Sequence, residues 1–230
     1  MKKESKKLNK QQHAYEIIRE RIMTGVYAPG QRVVTSQLAA ELSVSIIPVR
    51  EALKKLEEEG LIQNKPNIGA IVTPIDHERY LEALSVLAVL SGYATALSAP
   101  RFPREQLAEL RRMNEEMREA LDAFDFRHFG QLNRKFHRFI YDYCGNPFLL
   151  ETIEAVHARI DSIRRMGTAF IPMRARESIQ EHEQIIALIE QGADFAAIDQ
   201  LARNHKLNTL EAYRQHVREQ EKQERIAFFE

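Results

Sequence analysis

Helix-stopping residues divide this chain into two unlike parts. In the first they come close together: Gly25, Pro29-Gly30, the break Ser43-Val44-Ser45, Gly60, the turn residues Pro66, Asn67 and Gly69, and Pro74. Beyond Pro74 they thin out to Pro100 and Pro103, the Asp122–Asp125 region, Gly145-Asn146-Pro147, Gly167–Pro172 and Gly192. The first part can therefore hold only short elements, whereas the second leaves room for a series of long helices.

In the first part, Tyr15, Ile18, Ile22 and Met23 recur at helical spacing and predict a helix over His13–Thr24, stopped by Gly25. Thr35 or Ser36 can cap a second helix carrying Leu38, Ala39 and Leu42. Ser45 can cap a third, which has Pro48 in its first turn, where the missing N–H costs little, and Val49, Leu53 and Leu56 on its buried face. Leu61–Asn64 and Ala70–Val72 read as two short strands of a hairpin. Helix, helix, tight turn, helix and hairpin make the winged form of the helix-turn-helix. Residues 13–75 are assigned to it and residues 1–12 to a flexible basic tail.

The second part, residues 76–230, predicts helices near 76–99, 103–122, 125–144, 147–168, 173–191 and 193–222. Six helices with short links predict an antiparallel all-α bundle, so the whole chain is expected to be mainly α. A single cysteine, Cys144, excludes an internal disulfide and suits a reducing compartment. The apolar stretch Leu84–Leu90 is far shorter than the ~20 residues that span a bilayer. The N-terminal lysines are not followed by an apolar run, so no signal peptide is expected. These features predict a cytoplasmic protein with no membrane partner. Net charge is zero but unevenly spread: residues 1–75 carry 12 Lys/Arg against 8 Asp/Glu (+4), and residues 76–230 carry 21 against 25 (−4). A basic first part fits a nucleic-acid-binding module. Much of the excess, however, sits in Lys2, Lys3, Lys6, Lys7 and Lys10.

The stretch from Leu38 to Pro74 reads LAAELSVSIIPVREALKKLEEEGLIQNKPNIGAIVTP. From Tyr15 onward the chain resembles the GntR family of transcriptional regulators, through its LAxxLxVS segment, its PVREAL-KKLEEEGLI run and its P-x-x-G-A-x-V wing. The resemblance implies that the third helix enters the major groove of double-stranded operator DNA. Ser45 would present its hydroxyl and the helix N-terminus to a phosphate, and Arg50 and Lys54 would contact phosphate or guanine from one face. Ser36 would meet the backbone from the second helix, and Gly69 would allow close approach at the wing tip. Two departures stand out. Ile46 and Ile47 replace the family's usual Arg-Thr, and Ile68 replaces a frequent basic residue in the wing. Ile46 and Ile47 suit thymine methyl groups in the major groove, or else signal altered DNA reading.

In the second part, Asn133 and His137 are four apart and project from one helix face. His182 shares a face with Ile185, Ile186 and Ile189, and His205 shares one with Ile198 and Leu201. Three histidines aimed into a bundle need partners. Hydrogen bonding, the commoner arrangement, and a shared divalent metal both satisfy them, and spacing alone leaves the two open. His157, near Ile153 and Ile160, widens the choice.

The segments FGQLNRKFHRFIYDYCGNPFLLETIEAVHARI and IQEHEQIIALIEQGADFAAIDQLARNH resemble the FCD effector domain of the FadR subfamily, in its six-helix, VanR-like form. That resemblance implies a metal site of one acidic residue and three histidines. His137, His182 and His205 match it, with Asn133 at the acidic position, and the metal would be of the Zn, Ni or Mn type. It also implies a small carboxylate-containing effector. Arg159 matches a recurrent arginine suited to a carboxylate, whose alternative role is an internal salt bridge. Tyr93, Tyr141 and Asn208 are further candidate pocket groups. Leu87 and Ser91 stand where the first helix usually carries an Arg and a Glu, which implies a ligand less acidic or bound differently.

The expected function is thus a homodimeric, ligand-responsive repressor and not an enzyme. The rival readings are a metal-dependent enzyme built on the three histidines and a helical interaction protein with a degenerate DNA-binding head.

Overall fold

The computed structural model describes residues 10–164 and 172–229, and contacts divide the chain into two compact units with their main boundary at Asp76, residues 161–164 being grouped with the first. The expectation for residues 1–9 lies outside the described residues. The first unit contains α1 (Lys10–Met23), α2 (Thr35–Glu41), α3 (Ile46–Glu58), β1 (Ile62–Lys65) and β2 (Gly69–Val72). Helix α1 begins at Lys10, so Lys10, Gln11 and Gln12 belong to it and not to a tail.

The apolar periodicity has the expected result. Ala14, Ile18 and Ile22 of α1, Leu38 and Ala39 of α2, and Val49, Ala52, Leu53 and Leu56 of α3 form one buried cluster. β1 and β2 pair antiparallel, with Ile62 opposite Val72 and Lys65 opposite Gly69. Ile62 and Val72 close the cluster from the hairpin side. Arg21 pairs with Glu41 and donates to the Tyr27 hydroxyl at 3.0 Å, tying α1 to α2.

Two caps differ from expectation. Helix α2 is preceded by Val34 as its N-cap, with Thr35 already helical, and no side chain closes that end. Ser45 does occupy the N-cap of α3, yet its side chain makes no capping bond. The turn between these helices passes through Ser43 at φ +54°, a left-handed conformation that keeps α2 and α3 close. Gly69 opens β2 at φ +93°, where a side chain would be strained.

The second unit contains α4 (His77–Ser98), α5 (Leu107–Asp122), α6 (Phe126–Tyr141), α7 (Pro147–Arg164), α8 (Pro172–Gln191) and α9 (Phe195–Phe229). Two short 3-10 turns, Ala99–Arg101 and Arg104–Gln106, connect α4 to α5, so the helix expected from residue 103 starts at Leu107. The end of the helix expected over 147–168 lies outside the described residues. Asp125 caps α6 by accepting from the His128 amide at 2.9 Å.

Helix α4 packs along α9, α5 against α6 and α8, and α8 against α9. The α4–α9 approach depends on Gly92, because a Cβ there would lie 2.7 Å from the Asp199 carbonyl oxygen. The α4 region is apolar and long enough to cross a membrane by length and composition, although 56% of its most apolar window is buried inside the unit. It is a core helix of the bundle by its packing.

Candidate DNA-binding surface and metal centre

On the first unit, Ser36, Ser45, Ile46, Ile47, Arg50, Lys54 and Gly69 are all exposed. The period of α3 explains this: Val49, Ala52, Leu53 and Leu56 face the core, which leaves 46, 47, 50 and 54 on the opposite side. Among the described residues, the side chains of Arg50 and Lys54 have no hydrogen bond or ion pair. Lys55 is different, for its ammonium sits 4.1 Å from the Tyr15 ring centroid, and Tyr15 in turn donates to Glu59 at 2.8 Å. Ile47 is 67% exposed, Ile68 46% and Ile46 42%, which is unusual for side chains of this hydrophobicity.

In the second unit, α6, α8 and α9 bring His137, His182 and His205 together, all buried. Nε2 of His137 lies 3.3 Å from Nε2 of His182 and 3.1 Å from Nε2 of His205. The groups behind two of these rings define which nitrogen carries the proton. Asn114 donates its amide NH2 to the Ile179 carbonyl at 3.0 Å and to Glu183, so its Oδ1 faces His182 Nδ1 at 3.0 Å as an acceptor. His182 must therefore be protonated at Nδ1 and present a lone pair at Nε2. His205 Nδ1 donates to Glu181 Oε2 at 2.6 Å, so its Nε2 also carries a lone pair.

Both lone pairs point at the single Nε2 of His137, which has at most one proton to give. One lone pair is left facing nothing it can bond. Burial, followed by the charge of Lys206, holds His137 and His205 well below the usual imidazole pKa. Burial and then the neighbouring His205 do the same for His182. Three neutral imidazoles with converging nitrogens form a donor set for a divalent metal.

The test of fit is Asn133, one turn before His137 on α6, whose Oδ1 is buried and has no hydrogen-bond partner. A cation among the three Nε2 atoms would take up the surplus lone pair, and Asn133 offers its unpartnered oxygen from the same face of α6 as His137. The residues present therefore fit a metal held by His137, His182, His205 and Asn133.

Around this centre lies a network that spacing did not reveal. Arg174, buried on α8, donates to Glu181, to the His205 carbonyl at 2.8 Å and to Thr209 at 3.1 Å. Glu181 Oε1 accepts from Asn208 at 2.7 Å. Lys206, also buried, follows His205, and burial lowers its ammonium pKa to about 7. The available signal for Lys206 was its place in the stripe Ala202, Leu210, Tyr213, all buried on α9. For Asn114 it was the stripe Leu110, Met113, Met117 on α5.

The four candidate effector residues fall into two pairs. Tyr141 is buried, donates to Ser91 Oγ at 2.8 Å, and has its ring centroid 6.0 Å from that of His137. Asn208 is exposed but reaches the centre through Glu181. Tyr93 lies half in solvent with its ring edge-on to Phe195 at 5.5 Å, and Arg159 is exposed on α7. His157 is half-buried on α7, close enough for its charge to act on His137.

Comparison with known proteins agrees with both units. Residues 10–72 match the bacterial regulatory proteins of the gntR family, and residues 82–209 match the FCD domain. The HTH-type transcriptional regulator McbR of Escherichia coli (strain K12) is 28% identical over 174 residues, covering 75% of this chain and 79% of McbR. A probable D-xylose utilization operon transcriptional repressor of Paenarthrobacter nicotinovorans is 28% identical over 156 residues, 68% of each chain. The solved structure of E. coli McbR/YncC shares the fold, with a TM-score of 0.57 at 24% identity over 91% of this chain and 99% of that one. The chain belongs to the GntR family of DNA-binding transcriptional regulators, which are not enzymes, and carries an FCD domain behind its helix-turn-helix.

Proposed function

We propose that this chain is a metabolite-responsive repressor, acting in the cytoplasm as a homodimer, in which a metal-holding bundle controls how the winged heads engage an operator. The division of labour is α1 to β2 for DNA and the second unit for effector and dimer. The observation that carries the effector half is the convergence of three neutral imidazole nitrogens beside the orphaned Asn133 oxygen. A Zn-, Ni- or Mn-type ion held there would supply a Lewis-acidic point for one oxygen of a small carboxylate. Tyr141 and Asn208 lie close enough to help orient such a ligand. Arg159 and Tyr93 are exposed on α7 and α4.

On the first unit, unpaired Arg50 and Lys54 on the outer face of α3 support phosphate or base contact in the major groove. Ser45, with its hydroxyl free of capping, and Ser36 support phosphate contact. Gly69 allows the wing tip to approach the duplex. Ile46 and Ile47 are suited to thymine methyls.

A second copy of the chain is supported by the outer face of α4, where Val86, Val89 and Tyr93 stand 48%, 49% and 46% exposed at helical spacing. Only Thr73–Asp76 separate β2 from α4, so a shift of α4 on ligand binding is passed along the chain to the wing.

Elemental analysis of the purified protein tests the metal half. About one ion per chain is expected in the wild type, and loss of it in a His182→Ala/His205→Ala double variant. Equal metal content in the two proteins would remove the site.

A further inference from the structure

The interior of the second unit holds unmet demands of opposite sign. The imidazole lone pairs and the Asn133 oxygen call for a cation. Lys206 calls for an anion.

Two cationic side chains are buried among the described residues of this unit, Arg174 at 5% exposure and Lys206 at 6%. Arg174 is fully engaged by Glu181, Thr209 and the His205 carbonyl. The Lys206 side chain has no hydrogen bond or ion pair with any described residue. The acid whose charge reaches it is Glu181, and both oxygens of that carboxylate are already held, by Arg174, His205 and Asn208. A buried ammonium without a partner is costly and holds its proton more weakly, and an anion in contact with it offsets that cost and keeps it charged.

The packing of α9 on α4 locates the side chain. Near one end of the contact, Gly92 abuts Asp199 and Arg203. Further along, the Tyr80 and Tyr213 rings meet at a 59° tilt, 4.4 Å between centroids. Lys206 lies on α9 between these two contacts, in the stripe that continues to Leu210 and Tyr213, and so faces the Leu87–Ser91 stretch of α4. Ser91 holds the Tyr141 hydroxyl, and the Tyr141 ring lies beside His137. The charge of Lys206 acts on all three imidazoles. Cation demand and anion demand thus fall on adjacent buried residues of α9, His205 and Lys206.

We propose that Lys206 is the anion anchor of the effector site, pairing with a carboxylate or phosphate group of a small metabolite that also reaches the histidine centre. The assignment rests on the metal centre proposed above, and it places the effector's charge partner on α9 and not at exposed Arg159.

The test is calorimetric titration of the full-length protein, loaded with Zn2+ or Ni2+, with malonate, citrate and inorganic phosphate. Wild type, Lys206→Met and Lys206→Arg are compared, with metal content measured on each sample. At least one of these anions is expected to bind the wild type, Lys206→Met to weaken it about tenfold or more, and Lys206→Arg to retain most of the affinity. Metal content stays the same in all three. Lys206→Met replaces a buried charge with an apolar chain of similar shape, so its melting temperature should equal or exceed that of the wild type. If it does not fold, Lys206→Arg decides alone: retained anion binding supports the assignment, and loss of it with the metal in place opposes it.

Undiminished anion binding by Lys206→Met, or a metal-loaded wild type that binds none of the three anions, overturns the proposal. A wild type that holds no metal breaks the metal reading instead. In that case, anion binding by the metal-free protein that still requires Lys206 preserves this assignment.

Discussion

The two units place their polar groups in opposite ways. The first buries an apolar cluster, with Thr73 its one buried polar side chain among the described residues, and keeps the side chains of Ser45, Arg50 and Lys54 outside, without partners among the described residues. The second buries Asn114, His137, Arg174, His182, His205 and Lys206 among its apolar side chains. A dry core under an unpaired polar face suits contact with a large charged surface. An interior with converging donors suits a small guest taken inside, because ions and hydrogen bonds are strongest where water is excluded.

Variants that touch one chemistry and not the other can break this comparison. The largest effect is expected from Phe136→Ala, since Phe136 is fully buried and stacks on His182 at 4.2 Å. It should cost about 3–5 kcal/mol in urea unfolding and remove the metal as well. A loss well below 1 kcal/mol would mean that the bundle core is not packed as described. Next is Glu181→Gln, which replaces the charged acceptor of the His205 proton with a neutral one. Metal affinity, measured by competition with a chelator, should fall about 10–100-fold, while the metal-free protein binds DNA as before. An unchanged metal affinity would show that Glu181 does not position His205.

A smaller effect sharpens the surface half. Replacing thymine by uracil in a bound operator removes only a methyl group. Each methyl read by Ile46 or Ile47 should account for about a fourfold change in affinity, and Ile47→Ala should erase the difference at its position. If uracil substitution is without effect throughout the site, the isoleucines do not read methyls. The smallest effect is expected from Tyr15→Phe, which removes an exposed hydrogen bond to Glu59. It should cost about 1 kcal/mol or less and leave both DNA and metal binding alone.

The legibility of this chain followed the range of its contacts. Gly60 ending α3, Asp125 capping α6 and Pro147 opening α7 are local signals, and they marked those helix boundaries to within a few residues. Val34 at the start of α2 was missed because Thr35 and Ser36 are better capping residues, and the structure uses neither side chain for that purpose. His137, His182 and His205 could be brought together on paper because each lies on an apolar helix face. Their supporting partners could not, since Asn114 meets His182 across 68 positions and Glu181 meets His205 across 24. Lys206 is not legible in the sequence for a physical reason too: a lysine in an apolar stripe ordinarily extends its charged end to water, and this one is buried.

The most direct test of the account is the affinity of the protein for DNA of its own promoter region, measured by fluorescence anisotropy over a salt series for wild type and Arg50→Ala. The wild type should lose affinity steeply as salt rises, with a log–log slope of several units. Arg50→Ala should weaken binding about 5–150-fold without altering metal content. If the variant binds that DNA as tightly as the wild type at every salt concentration, α3 is not the surface that meets the duplex and the account is contradicted.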